Sequence, residues 1–393
     1  MLRNMRNRQS RVLYSARRLG GWSGGGLSPL DWLEGFAALD ESIKVTVMTE
    51  TPRETISTPI ANSERIDWLL VGSGRWKSPP RWREFIGRLF DRLAVRRIDP
   101  AVVIAEGRHG FRLTRRLGAR GTHANAVVVR GQPDQYAEDI ADMDRLSVLC
   151  DAIGAADAVI FNAPSVQRDW ESRGVLDGKR CFSISNTSRE DLVNDLRERE
   201  RDDVRSELGL SPDALVILCL GSVLYRKGQD LLLDAWPEIK SALPNAELHL
   251  VGPISRRGDG ESIAARAAGM KDVITTGPRM DALDYVYAAD ILVLPSRGES
   301  MPRAILEAMA LGTPVVASTA GAIPDLIEDR TGGRLFAVDD LAAMTDCIVE
   351  LGRSAALRHQ LADNARNHYW KAFSREHQRE QLRRTIATLL AGQ

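Results

Sequence analysis

The sequence feature that most constrains the fold is the segment at residues 290–325, DILVLPSRGESMPRAILEAMALGTPVVASTAGAIPD. Its two apolar runs, ILVL at 291–294 and VVA at 315–317, are short, as expected of strands covered on both faces of a parallel sheet. Between them, Pro302 suits the first turn of a helix and Gly312 suits its end. The segment therefore predicts strand, loop, helix and strand, with the loop at the ligand-binding edge of an α/β sheet.

Two carboxylates in this segment, Glu299 and Glu307, are candidates for binding a ligand that is rich in hydroxyl groups. Glu299 precedes the predicted helix, and Glu307 lies eight residues later inside it. A helix N-terminus attracts anions such as phosphate, and a carboxylate there accepts hydrogen bonds from the hydroxyls of sugars and ribose. On spacing alone, a solvated Glu299 and a surface Glu307 explain the pattern equally well.

The part of this segment that reads PSRGESMPRAILEAMALGTPVV resembles the donor-site segment of retaining glycosyltransferase family 4, whose members have the GT-B fold. The usual form in the family is P-S-x-x-E-x-x-P-x-x-x-L-E-A-M-A-x-G-x-P-V-V. The resemblance implies that Glu299 faces the donor sugar and that Glu307 holds the nucleotide ribose. It also places Ser300 and Met301 in the donor site.

A second part of the donor site is predicted in the segment GSVLYRKGQD, which follows the apolar strand at 215–220. Arg226 and Lys227 are adjacent cations between a strand and a helix. An arginine can donate two parallel hydrogen bonds to phosphate oxygens and a lysine adds a compact positive charge, so the pair is suited to binding a pyrophosphate. The segment resembles the family form G-R-L-x-x-x-K-G-x-D, except that Ser222 stands where arginine is usual. The resemblance implies that these residues and Gly221 meet the diphosphate, with Arg226 supplying the missing charge. A solvated basic turn is the alternative.

The N-terminal half opens like a Rossmann-like domain, with a strand at 11–16, the glycine-rich sequence GGWSGGG and an amphipathic helix at 28–39. In the family, a glycine loop at this place faces the acceptor. The resemblance therefore predicts that Gly24, Gly25 and Gly26 line the cleft, and a flexible turn is the alternative.

Three further candidates, His109, Arg130 and Arg279, each follow a predicted strand. The family commonly has a histidine near the donor sugar at the position of Arg130. His109 is therefore the candidate catalytic histidine, with His123 as a second nearby candidate and a structural role as the alternative. Arg130 is predicted to bind either an acidic group on a substrate or a loop carbonyl. Arg279 lies in the turn where the family binds the nucleotide base.

The resemblance implies an α/β chain with the GT-B fold, in which two Rossmann-like domains face each other across a cleft. Residues 1–190 would bind the acceptor, and residues 191–370 would bind the nucleotide sugar. Residues 371–393 would form a helix that crosses back onto the N-terminal domain. The charged run at 188–205 predicts a solvated helix and linker at the domain boundary.

The function that the resemblance implies is retaining transfer of a sugar from a nucleotide-diphosphate sugar to a saccharide or lipid-linked acceptor, in polysaccharide, lipopolysaccharide or glycolipid biosynthesis. Protein cations would stabilise the leaving diphosphate, so neither a cofactor nor an obligatory metal is expected. The alternatives are a non-catalytic nucleotide-sugar-binding protein with the same fold, a GT-B epimerase, and a metal-dependent transferase using the D-x-D sequence at 142–144, which is predicted to be helical.

Composition limits the partners and the compartment. The 53 Lys and Arg residues balance the 53 Asp and Glu residues, so the chain has no net positive charge that would favour binding to nucleic acid. The four cysteines have no paired spacing, which argues against disulfides and a zinc site. With neither a secretory signal nor an apolar run of the length of a membrane span, a cytoplasmic location is expected. The basic, aromatic-rich segment Arg75–Arg97 predicts either a helix with a solvated basic face or contact with the inner face of an anionic membrane.

Overall fold

A computed structural model of the protein describes residues 10–16, 19, 24–51, 56, 62–70, 93, 95–117, 123–134, 144–256 and 258–392. The chain divides into two units. The first unit contains Met1–Ser185 together with Gln378–Gln393, and the second contains Asn186–His377. Each is built around a parallel sheet of its own.

The first unit contains a seven-stranded sheet in the order β3-β2-β1-β4-β5-β6-β7, in which every pairing is parallel. Its strands are β1 (Ser10–Ala16), β2 (Ile43–Thr49), β3 (Ile66–Leu70), β4 (Val102–Glu106), β5 (Ala124–Val129), β6 (Ala158–Phe161) and β7 (Arg180–Ser183). Its helices include α1 (Gly24–Ala37), α2 (Gly107–Leu117), α3 (Asp144–Ala155) and α4 (Pro164–Glu171). The central strands are buried along almost their whole length, as is usual where helices cover both faces of a sheet.

The second unit contains a six-stranded parallel sheet in the order β10-β9-β8-β11-β12-β13. Its strands are β8 (Leu215–Leu220), β9 (Ala246–Val251), β10 (Val273–Gly277), β11 (Ile291–Leu294), β12 (Val315–Ser318) and β13 (Arg334–Phe336). Its helices are α5 (Glu190–Arg197), α6 (Arg201–Glu207), α7 (Gln229–Ala242), α8 (Gly260–Ala268), α9 (Ala282–Ala288), α10 (Arg303–Leu311), α11 (Ile323–Leu326), α12 (Leu341–Arg353) and α13 (Ala355–Ala372).

The last helix, α14 (Arg375–Ala391), starts in the second unit and belongs to the first unit from Gln378 onwards. Leu382, Ile386 and Leu389 recur on one helical face and are buried in the same apolar core as the strands β1, β2 and β4. The C-terminal helix therefore completes the core of the N-terminal sheet.

The predicted unit of strand, loop, helix and strand is confirmed. β11 and β12 pair in parallel, and α10 begins directly after Pro302. Gly312 ends α10 with φ 81°, a left-handed conformation that a glycine adopts without steric cost. The loop between β11 and α10 is thereby set at the carboxyl edge of the second sheet.

One helix starts earlier than the sequence predicts, and another continues through a proline. α1 begins at Gly24, so Gly24, Gly25 and Gly26 form its first turn and are not a loop. α7 continues through Pro237 to Ala242, because buried Trp236 and Ile239 keep its apolar face against the core, and proline removes only one helical hydrogen bond.

The prediction of a solvated helix and linker at 188–205 is wrong for part of that run. It forms two helices, α5 and α6, whose Val193 and Val204 are fully buried. Arg205 is also buried, since its guanidinium donates to the carbonyls of Ala288, Ser211 and Ala214 and pairs with Asp290. The charged run is therefore partly a packing surface.

The basic segment Arg75–Arg97 lies mostly outside the described residues, so its predicted membrane contact stays a prediction. Within the ranges that the structure describes, no helix combines the length and the apolar character needed to cross a bilayer.

Candidate functional site

In the second unit, a glycine allows the loop after β8 to pack closely against the loop after β11. The turn Tyr225–Lys227 is a single 3₁₀ turn that ends at Gly228, with φ 74°. A Cβ on Gly228 would overlap the carbonyl oxygen of Pro295. Because only a glycine permits this approach, the two loops meet where the sheet presents the carboxyl ends of β8 and β11.

Lys227 and Glu299 form the centre of the site. The Lys227 Nζ lies 2.5 Å from Glu299 Oε1, and the Ser296 hydroxyl donates to the same oxygen at 2.8 Å. Arg226 donates to the Gly298 carbonyl, and its guanidinium lies 3.9 Å from Glu299. The structure thus brings together the three residues that the sequence assigned to the sugar and the diphosphate.

The electrostatics of Glu299 are set by these cations. Burial alone would raise the pKa of Glu299, but Lys227 and Arg226 hold that pKa below its ordinary value. Glu299 is therefore an ionised, buried acceptor at neutral pH. Its backbone carbonyl also accepts from the N–H of Ala322, which ties the loop to the segment after β12.

Glu307 lies inside α10 and is buried, so it is not a surface helix residue. Its Oε1 accepts a hydrogen bond from Arg189 Nε at 3.0 Å. Sequence reasoning missed Arg189, because the two residues are 118 positions apart and Arg189 stands at the start of the charged run taken for a linker.

Met301 and Ser222 both accept hydrogen bonds that help to hold the site. Asn186 donates its backbone N–H to Met301 Sδ and its side-chain amide to the Met301 carbonyl, each at 3.1 Å. The Ser222 carbonyl accepts from the Gln229 amide at 3.1 Å. Gly221 has φ 151°, and a Cβ added there would contact the Lys227 side chain. Ser300 is half-buried between Glu299 and α10.

Arg297, which sequence reasoning did not identify, holds the Tyr225–Lys227 turn in place. It donates Nη1 to the Tyr225 carbonyl at 2.5 Å and forks onto Asp230 at 2.8 and 2.9 Å. Its Nε donates to Asp339 at 2.7 Å, and its guanidinium lies 3.8 Å from the centre of the Tyr225 ring. The family pattern leaves this position open, so no motif indicated it.

We expect Arg297→Lys to weaken the binding of a nucleoside diphosphate about tenfold, because an ammonium cannot make the fork and a displaced turn misplaces Lys227. Isothermal titration with UDP, GDP and ADP measures this. Arg353→Lys, at an exposed position in the same unit, is the matched control. Unchanged affinity in Arg297→Lys would show that the turn keeps its place without the fork.

Arg279, in the turn after β10, forms an ion pair with Asp281, and its contact with a nucleotide base stays a prediction. It is half-exposed, forks onto Asp281 at 2.8 and 2.5 Å, and lies 5.6 Å from the centre of the Tyr285 ring. A cavity of about 250 Å³ lies nearby, lined by residues that include Arg189, Leu192, Met280 and Asp284. Arg189 lines this cavity and also donates to Glu307, so the cavity lies beside the buried Glu307 carboxylate.

In the first unit, Arg130 is held by Glu106. Its Nε lies 2.5 Å from Glu106 Oε1, and its Nη2 lies 3.1 Å from Oε2. Arg130 therefore binds a carboxylate of its own chain, whereas the sequence predicted that it binds an acidic group of a substrate or a loop carbonyl.

The other candidates of the first unit lie in helices. His109 is the third residue of α2 and is half-buried, and Gly24–Gly26 form the first turn of α1.

Among the described residues, no group of three or more His, Cys, Asp and Glu side chains could hold a metal ion. The four cysteines are free thiols. Burial raises the pKa of Cys219, at the end of β8, to about 12, so this thiol stays protonated and is a poor nucleophile.

Residues 214–354 match the family described as Glycosyl transferases group 1. A D-inositol 3-phosphate glycosyltransferase of Segniliparus rotundus is 38% identical over 137 residues, which cover 33% of this chain and 30% of the relative. A protein of the same name from Streptomyces avermitilis is 31% identical over 280 residues, covering 67% and 58%. The phosphatidyl-myo-inositol mannosyltransferase of Mycobacterium leprae is 33% identical over 171 residues, covering 42% and 44%. The chain thus spans less than two thirds of each of these relatives.

Solved structures resemble the chain over nearly its whole length. The sucrose-phosphate synthase of Thermosynechococcus elongatus superposes with a TM-score of 0.77 at 20% identity, covering 98% of this chain and all of that one. Anabaena HepE, solved in complex with UDP and glucose, has a TM-score of 0.77 at 17% identity, covering 96% and 100%. At these identities the likeness shows the fold, which is GT-B, as predicted.

Proposed function

Since residues 214–354 form a glycosyl transferases group 1 domain, we propose that the chain is a retaining glycosyltransferase that uses a nucleotide-diphosphate sugar. The observation that carries this proposal is the contact of Lys227 and Arg226 with Glu299 at the carboxyl ends of β8 and β11. It places two cations and a buried carboxylate where such sheets bind ligands.

Each of these groups has a chemical task in the proposed reaction. The bond between the anomeric carbon and the phosphate oxygen breaks, and a bond forms from the acceptor oxygen to that carbon. Arg226 and Lys227 oppose the charge that develops on the departing diphosphate, which removes the need for a metal. Glu299 binds hydroxyls of the donor sugar, and Glu307 binds the ribose. The acceptor proton passes to the leaving phosphate oxygen.

The relatives support an acceptor with several hydroxyl groups. Two of them are named for D-inositol 3-phosphate and a third for phosphatidyl-myo-inositol, so we propose a cyclitol, saccharide or lipid-linked acceptor in glycolipid or polysaccharide synthesis. Anabaena HepE, a structural neighbour, was solved with UDP and glucose, which supports a nucleotide-sugar donor.

A turnover assay tests the proposal. UDP-, GDP- and ADP-sugars are each incubated with myo-inositol, D-inositol 3-phosphate or octyl glucoside, and nucleotide release and the glycosylated product are measured. We expect one donor to release nucleotide faster with an acceptor present, and the anomeric configuration of the donor to be kept. Binding of a nucleotide sugar without any release would instead favour a non-catalytic binding protein.

We further propose that the protein acts in the cytoplasm and that Arg75–Arg97 contacts an anionic membrane surface. A basic segment with Trp76 and Trp82 has the composition of an interfacial helix. In flotation with anionic liposomes, Arg83→Glu combined with Arg88→Glu should leave more protein unbound than the wild type. Equal flotation of the two proteins would contradict the membrane contact.

A further inference from the structure

The strand order of the first unit reverses at one point, between β1 and β4. β2 and β3 lie on one side of β1, whereas β4 to β7 continue on the other. In open parallel sheets, ligands bind outside the carboxyl ends of the strands at such a point. Glu106, the last residue of β4, pairs in register with Ala16, the last residue of β1. A carboxylate therefore stands at this position.

The Glu106 carboxylate is fixed from two sides. Arg130 forks onto both of its oxygens, at 2.5 and 3.1 Å, and the Tyr14 hydroxyl donates to Oε2 at 2.6 Å. The Arg130 guanidinium in turn lies 4.8 Å from the centre of the Trp32 ring. Tyr14 and Trp32 are buried, while the Glu106 side chain keeps 12% of its surface exposed. Glu106 is thus held rigidly and still reaches solvent.

Counting only the partners that the structure describes, Glu106 has capacity for one more hydrogen bond. An ionised carboxylate offers about four lone-pair positions, and Arg130 and Tyr14 together occupy three of them. Burial and the neighbouring carboxylate raise the pKa of Tyr14, so its hydroxyl stays a donor. The remaining position accepts a hydrogen bond and suits a hydroxyl group.

The charge at this position selects against a phosphate. Arg130 and Glu106 neutralise each other, so the pair does not attract an anion, and the negative charge of Glu106, whose side chain is partly exposed, repels one. A neutral hydroxyl group needs no net positive charge and is not repelled by Glu106.

We propose that Glu106 binds a hydroxyl group of a neutral polyol acceptor, a sugar or a cyclitol, and that Arg130 and Tyr14 are positioning residues that orient it. The proposal rests on the transferase function proposed above and names the group that its acceptor presents to the first unit.

The test compares wild type with Glu106→Gln, which keeps the shape of the side chain and removes its charge. Saturation-transfer NMR measures binding of myo-inositol and octyl glucoside in the presence of the nucleoside diphosphate that binds most tightly. We expect Glu106→Gln to weaken polyol binding, and to raise the acceptor KM, about 10- to 100-fold, because it loses a hydrogen bond to a charged group. The affinity for the nucleotide should not change. Glu41→Gln, at an exposed position in the same unit, is the matched control.

Each outcome decides the proposal. Equal polyol binding by wild type and folded Glu106→Gln overturns it, and so does a wild type that binds neither polyol. An equal loss of nucleotide and polyol binding in Glu106→Gln also overturns it, since it would mark a structural role. Polyol binding that depends on Glu106 in a protein that never releases nucleotide would contradict the transferase function and leave the assignment of Glu106 standing.

Discussion

Replacing Lys227 with alanine is expected to lower kcat by about 10²- to 10³-fold, as when one preorganised group that stabilises developing charge is removed. The Lys227 ammonium lies in the loop where the second sheet presents the carboxyl end of β8, and Glu299 holds its side chain in place. Initial rates of nucleotide release at saturating donor measure the loss. Lys271→Ala removes an equally charged but exposed lysine of the same unit and should leave the rate unchanged.

Loss of stability must be separated from loss of catalysis in this experiment. Lys227→Ala also leaves the buried Glu299 without its nearest partner, and an uncompensated buried charge is costly. The double variant Lys227→Ala with Glu299→Gln removes that charge, so it should recover stability towards urea but not turnover. A single Lys227→Ala variant that is folded and turns over at the wild-type rate would rule out the proposed role of Lys227.

The strands and the helix around the donor loop could be predicted because their signals are local. The apolar run ILVL, Pro302 and Gly312 each restrict the backbone where they stand, and the structure has β11, the start of α10 and its end at those positions. The meeting of Lys227 with Glu299 followed from the parallel sheet, which brings the loops after β8 and β11 to the same edge.

The partners of charged residues could not be predicted, because ion pairs in this fold join positions far apart in sequence. Arg189 with Glu307, Arg205 with Asp290 and Arg130 with Glu106 are each formed by side chains from different elements. A charged run looks the same in sequence whether its arginines are solvated or buried against carbonyls. The continuation of α7 through Pro237 has a related cause, since the burial of its apolar face outweighs the local effect of that proline.

The second large effect is expected from Gly228→Ala, which should destabilise the second unit by about 2–5 kcal/mol, the sum of left-handed strain and steric overlap in a packed site. Gly228 has φ 74°, and an added Cβ would overlap the backbone carbonyl of Pro295. That carbonyl follows β11 in a buried position, so it has little room to retreat. Hydrogen exchange of the β8 and β11 amides measures the stability of the second unit separately from that of the first unit.

Gly209→Ala is the matched control that separates strain from overlap. Gly209 has φ 67°, yet an added Cβ there would meet no atom within 4 Å, so only the strain of about 1–2 kcal/mol is expected. The difference between the two losses of stability therefore measures the cost of the steric overlap between the loops after β8 and β11. Equal losses would show that the loops separate at little cost, in which case the approach of Lys227 to Glu299 would depend on their charges and not on Gly228.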